Sequence, residues 1–473
     1  IRDVERSRGL GDVYKRQVEI LNIVILGAGQ VGSELSAILA SDHDVTLIDL
    51  KQEKLQKISD HHDLKTICGN ACYPKTLEQA EIETADLAIA MTQYDEVNMV
   101  ACQMIKHMSK KTKTMARIRA TQYLGGKGSE IFEAGDYTID VVISPENLIT
   151  DFIKRLIEVP GANKVLDFGN GQASMVSVKA KGGLITGHKI SELKELIPNV
   201  DVRVAAINRD ENLLIPKGED TIDKGDEVYF ISAKSNIKKI ISTIYQSDKS
   251  YKNIMIAGGG RIGRRLANSL ESKYRVKIIE ADKDRCIYLN EKLGNSLILH
   301  GDSSDSELLE EENIENMDLF CALTNNDEAN VMSSLLAKKL GAKKIVSLVN
   351  KQNYLDLIKE NEEVDITIAP TDIAIGVVLK NLSKKELVTA HSLKRGQAEA
   401  IEIVAKTSDN PENIVGKEIG DIITPEGTTI AAVFDNKNIK IAHHDLKVQE
   451  NDHLIVFLSD SSKFEEVERR LTK

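Results

Sequence analysis

The sequence has no tryptophan and, in 473 residues, only 8 phenylalanines and 5 cysteines. With so few aromatic side chains, no stacking platform for nucleic-acid bases is evident. The cysteines are odd in number and lack CxxC spacing, which favours reduced, buried thiols in a cytosolic protein over a disulfide framework.

Long apolar runs are also missing. No stretch of about 18 apolar residues is free of charges, so the sequence predicts no transmembrane helix. No charged start leads into an apolar run with a small-residue cleavage site, so nothing predicts secretion. The net charge of −11 argues against broad nucleic-acid binding and against docking on an anionic lipid surface. We therefore expect a cytoplasmic protein, with residues 1–18 as a tail, disordered or not native, outside the fold.

The common catalytic motifs do not occur either. HExxH, HxxxH and GxSxG are missing, and none of the 10 histidines stands beside a glycine-rich segment. Metal-dependent and serine-nucleophile chemistry therefore have no candidate residues. The sequence predicts no catalytic residue and no metal site, so an enzyme is not expected.

What the sequence does contain is a long internal repeat, with an offset of about 231 residues. The matching segments keep the same order in both copies: 22–32 with 253–263, 45–49 with 276–280, 68–70 with 300–302, 92–98 with 324–330, and 143–145 with 368–370. This many ordered matches predict a duplicated domain of about 120 residues.

Each copy alternates short apolar runs, such as Ile23–Leu26 and Leu87–Ala90, with helical segments such as Gln30–Ala40. Short unbroken apolar runs are typical of strands buried on both faces of a parallel sheet. The alternation predicts an α/β fold with two Rossmann-like, doubly wound parallel sheets. A smaller α+β unit, in which a Gly-Asp or Asn-Asp turn leads into a strand, is predicted after each copy.

The predicted order is therefore large, small, large, small. We expect bounds of 19–144 for the first large unit, 145–159 for a connecting helix, 160–236 for the first small unit, 251–369 for the second large unit, 370–385 for a second connecting helix and 386–473 for the second small unit. The first connecting helix carries one apolar stripe, formed by Leu148, Ile149, Phe152, Ile153, Leu156 and Ile157. This stripe packs either against its own domain or against a second domain or a dimer partner.

A GxGxxG segment opens each large unit. It follows an apolar strand, begins a helix, and is followed by an acidic residue at the end of the next strand, which is the context of a dinucleotide site. The first glycine permits a tight turn, the second lets a pyrophosphate approach the backbone, and the third lets the helix lie close to the sheet. The helix N-terminus offers free N–H groups to the phosphates. The acid accepts hydrogen bonds from a ribose with a free 2′-hydroxyl, which favours NAD over NADP.

The cofactor-binding residues predicted in the first copy are Gly27, Ala28, Gly29, Gln30, Val31, Gly32, Asp49, Gly69, Asn70, Thr92 and Arg117. Those predicted in the second copy are Gly258, Gly259, Gly260, Arg261, Ile262, Gly263, Glu280, Gly301, Asp302 and Thr324. The alternative is a relic of the fold that binds nothing.

Two further features leave alternatives open. The acidic clusters Asp95-Glu96 and Asp327-Glu328 open a helix in each copy, where helix capping and dipole matching are as well founded as ligand contact. The copies also differ, because Arg261 replaces Gln30 and a guanidinium there clamps a phosphate more readily than an amide.

Together these motifs resemble the tandem RCK family, also called KTN, of regulatory subunits in bacterial potassium transport. The resemblance spans about 20–472. It is carried by the two glycine-rich segments with their acids, the Asp-Glu-x-Asn clusters, and Ile143–Glu146 before the connecting helix. The large units are then RCK N-domains and the small units RCK C-domains.

The resemblance implies a cytoplasmic ring, a tetramer, that lies on the cytoplasmic face of the inner membrane beneath a dimeric TrkH- or TrkG-like potassium channel. NAD(H), ATP or ADP at the glycine-rich loops would change the shape of the ring and gate potassium flux. Arg261 matches the phosphate-contacting arginine of many loops of this family and Gln30 does not, so we expect NAD(H) chiefly at the Gly27 loop and leave the nucleotide of the Gly258 loop open. An NAD-dependent oxidoreductase and a sensor for a partner outside potassium transport are the alternatives.

Overall fold

A computed structural model describes residues 20–125, 129–130, 132, 139–182, 184–210, 212–245, 250–351, 353–355, 358, 364–382, 387–393, 398–407, 413–435 and 438–472. The predicted tail at 1–18 lies outside these residues. The chain divides into two compact units, residues 1–145 and residues 146–473. No helix in the described ranges is long and apolar enough to cross a bilayer.

The first unit is built on a six-stranded parallel sheet in the order β3-β2-β1-β4-β5-β6. Its strands are β1 Asn22–Leu26, β2 Asp44–Asp49, β3 Lys65–Cys68, β4 Leu87–Ala90, β5 Lys113–Arg117 and β6 Val141–Ile143. Its helices are α1 Gln30–Leu39, α2 Gln52–Ser59, α3 Pro74–Gln79 and α4 Asp95–Met108. All four residues of β4 are buried, as its unbroken apolar sequence predicts for a strand at the centre of such a sheet.

Helix α5, Pro145–Glu158, begins at the last residue of the first unit and otherwise belongs to the second. The second unit contains a second Rossmann sheet in the order β14-β13-β12-β15-β16-β17, which repeats the first. Its strands are β12 Asn253–Ala257, β13 Arg275–Glu280, β14 Leu297–His300, β15 Leu319–Ala322, β16 Ile345–Leu348 and β17 Ile366–Ile368. Its helices are α8 Arg261–Leu270, α9 Lys283–Lys292, α10 Ser306–Glu311, α11 Asp327–Lys339 and, after the sheet, α12 Pro370–Leu382. The predicted α/β class with two doubly wound parallel sheets is confirmed.

The two small units are five-stranded sheets with the same strand order, β10-β9-β11-β8-β7 and β21-β20-β22-β19-β18. The first consists of β7 Lys164–Phe168, β8 Ala173–Lys179, α6 Leu193–Leu196, β9 Val202–Arg209, β10 Asn212–Leu214, β11 Glu227–Ala233 and α7 Lys234–Tyr245. The second consists of β18 Leu387–Leu393, β19 Ala398–Val404, β20 Thr428–Phe434, β21 Ile439–Ile441, β22 His453–Leu458 and α13 Phe464–Thr472. Helix α7 extends to Tyr245, past residue 236, where the sequence analysis ended the first small unit.

The predicted turns into the last strands carry left-handed backbone. Gly225 and Asn451 have φ angles of 102° and 66° at matching positions. The aspartates that follow, Asp226 and Asp452, each accept a hydrogen bond from a backbone N–H three residues earlier, at 2.8 and 2.7 Å. The Gly-Asp and Asn-Asp signals are therefore turn signals, as predicted.

The two small units pack sheet against sheet. Along β11, Val228 and Phe230 face one core while Tyr229 and Ile231 face the other small unit, where they meet Phe457 of β22. A strand whose side chains are buried on both faces has no polar alternation, and the central residues of β11, 228–231, accordingly form an apolar run.

A buried carboxylate links the small units. Glu402 of β19 is 1% exposed. It accepts a hydrogen bond from the Gly169 N–H at 2.9 Å with one oxygen, and its other oxygen lies 2.7 Å from Nδ1 of His453. A charge this deeply buried is tolerated only when its oxygens are paired.

The sequence left open which partner the apolar stripe of α5 packs against, and the structure shows it. Ile149, Ile153, Leu156 and Ile157 are buried in a core shared with the first small unit and with the second Rossmann domain, including Leu270 of α8. The helix therefore packs against the domains that follow it. The second connecting helix is described as far as Leu382.

We expect Glu402→Ala to lower the free energy of unfolding of the second unit by about 3 kcal/mol, because it leaves the Gly169 N–H and His453 without their buried partner. Glu402→Gln keeps a hydrogen-bond acceptor and should lower the free energy of unfolding by less. Urea denaturation followed by circular dichroism measures both, with Glu450→Ala on an exposed turn as the control. Equal stability of the Glu402→Ala and Glu450→Ala variants would contradict this assignment.

Candidate functional site: two glycine-rich loops

The Gly27 loop joins β1 to α1 at the carboxyl edge of the first parallel sheet. Gly27 has a φ of 107°, and a Cβ there would lie 3.0 Å from the backbone nitrogen of Thr92. A Cβ on Gly32 would lie 1.9 Å from the carbonyl oxygen of Gly27, so the helix touches its own turn. A Cβ on Gly29 would meet nothing within 4 Å. The first and third glycines are thus required for packing, while the second faces open space.

The Gly258 loop repeats this geometry. Gly258 has a φ of 100°, and a Cβ on Gly263 would lie 1.9 Å from the Gly258 oxygen. Gly260 again faces open space. A Cβ on Gly259 would lie 2.2 Å from Leu289, which explains a glycine here where the first copy has the buried Ala28.

Neither glycine-loop helix has a side-chain cap. Gly29 and Gly260 are the N-caps of α1 and α8, and a glycine has no side chain with which to cap its helix. In the second Rossmann domain α9, α10 and α11 are capped by side chains, whereas in the first the N-cap residues of α2, α3 and α4 make no capping hydrogen bond. An uncapped N-terminus leaves first-turn N–H groups directed outward, beside open space and with the positive end of the helix dipole, which is an arrangement suited to phosphate. Gln30 and Arg261, both exposed, occupy the first helical position.

The acid at the end of the second strand touches the loop. Asp49 accepts hydrogen bonds from the N–H groups of Ala28 at 2.8 Å and Lys51 at 2.9 Å. Glu280 accepts hydrogen bonds from the N–H groups of Gly259 at 2.7 Å and Asp282 at 3.0 Å. Each carboxylate oxygen has a second lone pair, so the acid can brace the loop and still accept from a ribose hydroxyl.

The loop after the third strand is tied to the same acid through its backbone. The N–H of Gly69 donates to the Asp49 carbonyl and that of Gly301 to the Glu280 carbonyl, each at 3.0 Å. Asn70 and Asp302 instead organise their own turns. Asn70 accepts from the Cys72 N–H at 2.9 Å. Asp302 accepts from the backbone N–H of Ser304 at 2.8 Å, and these hydrogen bonds to Ser304 lower the pKa of its carboxyl.

Thr92 and Thr324 lie against the first glycine of each loop, held by an asparagine. The N–H and hydroxyl of Thr92 both donate to Oδ1 of Asn98, at 2.9 and 2.7 Å. Asn330 accepts from Thr324 at the same two distances. Both asparagines are fully buried and also donate to the carbonyl of the last residue of the fifth strand. This clamp was not foreseen from the sequence, although the repeated Thr-x5-Asn spacing is its signal.

The acidic clusters do not cap their helices. The N-caps of α4 and α11 are Tyr94 and Asn326. Asp95 is 8% exposed and accepts from the N–H groups of Arg119 and Ala120, at 2.9 and 2.7 Å. Asp327 likewise accepts hydrogen bonds from the N–H groups of Asn350 and Lys351, at 3.1 and 2.7 Å. The capping interpretation of these two aspartates is therefore wrong: they lie in the first helical turn, where the dipole favours them, and fix the segment after the fifth strand.

The two sites differ at their rims. In the first copy Arg117 donates from Nη2 to the Thr92 carbonyl at 2.8 Å, whereas Leu348 ends the corresponding strand in the second. In the second copy Arg285 donates from Nε to the Gly259 carbonyl at 2.9 Å and lies 4.8 Å from the ring centroid of Tyr288. Arg285 was not predicted from the sequence, and its signal is a basic residue in the first turn of the helix after the acid.

Comparisons with known proteins identify the domains that carry these loops. The TrkA-N domain model matches residues 23–145 and again 254–370, and the TrkA-C domain model matches residues 175–244. The Trk system potassium uptake protein TrkA of Halomonas elongata is 45% identical over 95% of this chain and 98% of its own length. That of Vibrio alginolyticus is 40% identical, with the same coverage of both chains.

Among solved structures, the GsuK RCK domain has a TM-score of 0.62 and 17% identity over 96% of both chains. The GsuK channel bound to NAD has a TM-score of 0.61 and 16% identity over 96% of this chain and 80% of that one. These structures show the fold, and the relatives show the family. The chain belongs to the TrkA family of Trk system potassium uptake proteins.

Proposed function

We propose that this chain is the nucleotide-binding regulatory subunit of a Trk-type potassium uptake system. The observation that carries the nucleotide part is the uncapped helix N-terminus above an open glycine, with an acid bonded to the same loop, present twice. The potassium part rests on the family, whose relatives carry that function in their names.

The residues present fit NAD(H), ADP or ATP at both loops. The N–H groups at the start of α1 and α8 would hold the phosphates, and Asp49 and Glu280 would hold the adenosine ribose. A carboxylate at that position repels a 2′-phosphate, which favours NAD(H) over NADP(H). The nucleotide acts as a ligand, and this proposal assigns the chain no reaction.

The domain bounds expected from the sequence form part of the proposal. Residues 19–144 and 251–369 would be RCK N-domains, and residues 160–236 and 386–473 RCK C-domains. Four chains would form a ring on the cytoplasmic face of the inner membrane, beneath a TrkH- or TrkG-like potassium channel.

Gating requires that a nucleotide bind two states of the ring with different affinities. Shifting a channel from about 1% to 99% open takes about 5.5 kcal/mol of differential binding. With two sites per chain in a tetramer, that is about 0.7 kcal/mol per site. A small difference in nucleotide affinity between the two states at each loop therefore suffices.

Asp49→Asn should weaken NADH binding at its loop about 10- to 100-fold, because a hydrogen bond to a charged acceptor contributes about 1.5–3 kcal/mol. Glu280→Gln should act likewise on the second loop. The fluorescence of NADH reports binding directly, since the dihydronicotinamide is excited at a wavelength that protein side chains do not absorb. Asp86→Asn is the matched control, because Asp86 also accepts a backbone N–H, from Asn22 at 2.8 Å, but at the opposite end of β1. Unchanged NADH affinity in both loop variants would refute the site.

Exchanging the first helical residues should exchange their phosphate preferences. We expect Arg261→Gln to weaken ADP binding about 3- to 10-fold, and Gln30→Arg to strengthen it at the first loop, because a guanidinium forms charge-assisted hydrogen bonds with phosphate. Isothermal titration calorimetry measures both, with Arg275→Gln at the start of β13 as the charge control. Equal effects of the Arg275 and Arg261 substitutions would contradict a phosphate contact.

Reconstitution tests the potassium function. Proteoliposomes with a TrkH-type membrane subunit should show rubidium flux that depends on this chain and changes on addition of NADH or ADP. The Asp49→Asn and Glu280→Gln variants should shift the nucleotide dependence to higher concentration. Flux that is indifferent to the chain would contradict the proposed partner, and flux that needs the chain but ignores nucleotides would contradict the proposed gating.

A further inference from the structure

A second candidate binding site lies in the second unit, away from the glycine-rich loops. A cavity of about 530 Å³ opens between α5, the first small unit and the C-terminal end of α8. Its volume is within the range of pockets that hold small organic ligands. Helix α8 begins at the Gly258 loop and has 10 residues, so the cavity is about 15 Å from that loop along the helix.

The cavity is lined mainly by cations. Its charged lining residues are Lys154, Arg155, Glu158, Lys234, Lys238 and Lys273. Lys234 is paired with Asp167 at 3.1 Å. Among the described residues, no carboxylate lies within ion-pair distance of the other four cations. A cleft lined by one sign of charge concentrates ions of the opposite sign.

Arg155 contributes a half-buried guanidinium to this lining. Its Nε is enclosed by the protein, without a hydrogen-bond partner in the described part of the chain, and is out of reach of the cavity. Its terminal Nη groups are not enclosed in this way, and they can donate to an anion in the cavity.

The rest of the lining suits a molecule larger than a bare ion. Lys234, Ser235 and Lys238 belong to the first turns of α7, whose N-terminus carries a partial positive charge. The lining also contains apolar side chains, among them Val165, Ile237 and Leu270. A lining that combines apolar side chains with a few polar groups is typical of ligand pockets.

We propose that this cavity binds a small phosphate-bearing molecule, held by Arg155, Lys238 and Lys273. Arginine offers phosphate a pair of parallel hydrogen bonds, and the lysines add charge without fixed geometry. Because α5, the small unit and α8 all contribute to the wall, the ligand joins three parts of the second unit.

The test is a titration of the full chain with inorganic pyrophosphate by calorimetry, at an ionic strength held constant with chloride. The Lys238→Gln, Lys273→Gln double variant should bind pyrophosphate at least 10-fold more weakly than wild type, and Arg155→Gln should also weaken it. Lys239→Gln is the matched control, since Lys239 lies on the same helix but outside the cavity lining. NADH affinity should stay unchanged in every variant.

Pyrophosphate binding that is equal in the double variant and the Lys239 control would overturn the proposal, because the anion would then be bound elsewhere, for example at the glycine loops. Lack of any pyrophosphate binding above chloride would overturn it as well. Thermal unfolding of each variant identifies loss of fold, and the exposed lysine substitutions keep the test valid if Arg155→Gln is destabilised.

Discussion

The hydrogen bond between the acid of the second strand and the first N–H group after the tight glycine turn holds each candidate site together. Asp49 reaches Ala28 and Glu280 reaches Gly259, at 2.8 and 2.7 Å. The turn itself exists because the third glycine allows the helix to touch the carbonyl of the first. With the turn fixed in this way, the helix N-terminus points at open space instead of at a capping side chain, and this is the property on which the proposed nucleotide site rests.

The second loop is connected to the rest of its unit by packing. Leu266, Ala267 and Leu270 of α8 lie in one continuous core with α5 and the first small unit. Because tightly packed interiors transmit strain, we expect a displacement of the first residues of α8 to be transmitted to the small unit. The small unit is in turn packed on the second one, where Glu402 joins them through Gly169 and His453. The proposed regulatory role needs such a path, and these packed cores provide one among the described residues.

Much of the fold and of the glycine-loop geometry was predictable from the sequence. The features that were not predicted have physical causes. The repeat, the parallel sheets and the glycine turns followed from apolar runs and from the conformational demands of Gly27 and Gly258, because these are local signals. The partners of Asp95 were not predictable, since its acceptor role depends on amides 24 and 25 residues away that only the fold brings near. Arg285 was missed for the same reason, and the stripe of α5 left two packing partners open because periodicity shows which face is buried but not against what.

A crystal or cryo-electron microscopy structure of the chain with NADH tests most directly whether each loop holds a nucleotide by its helix N-terminus and its acid. We expect pyrophosphate density against the N–H groups that follow Gly29, with the adenosine ribose on Asp49. NADH density away from the glycine-rich loops, or loops without ligand at saturating NADH, would contradict it.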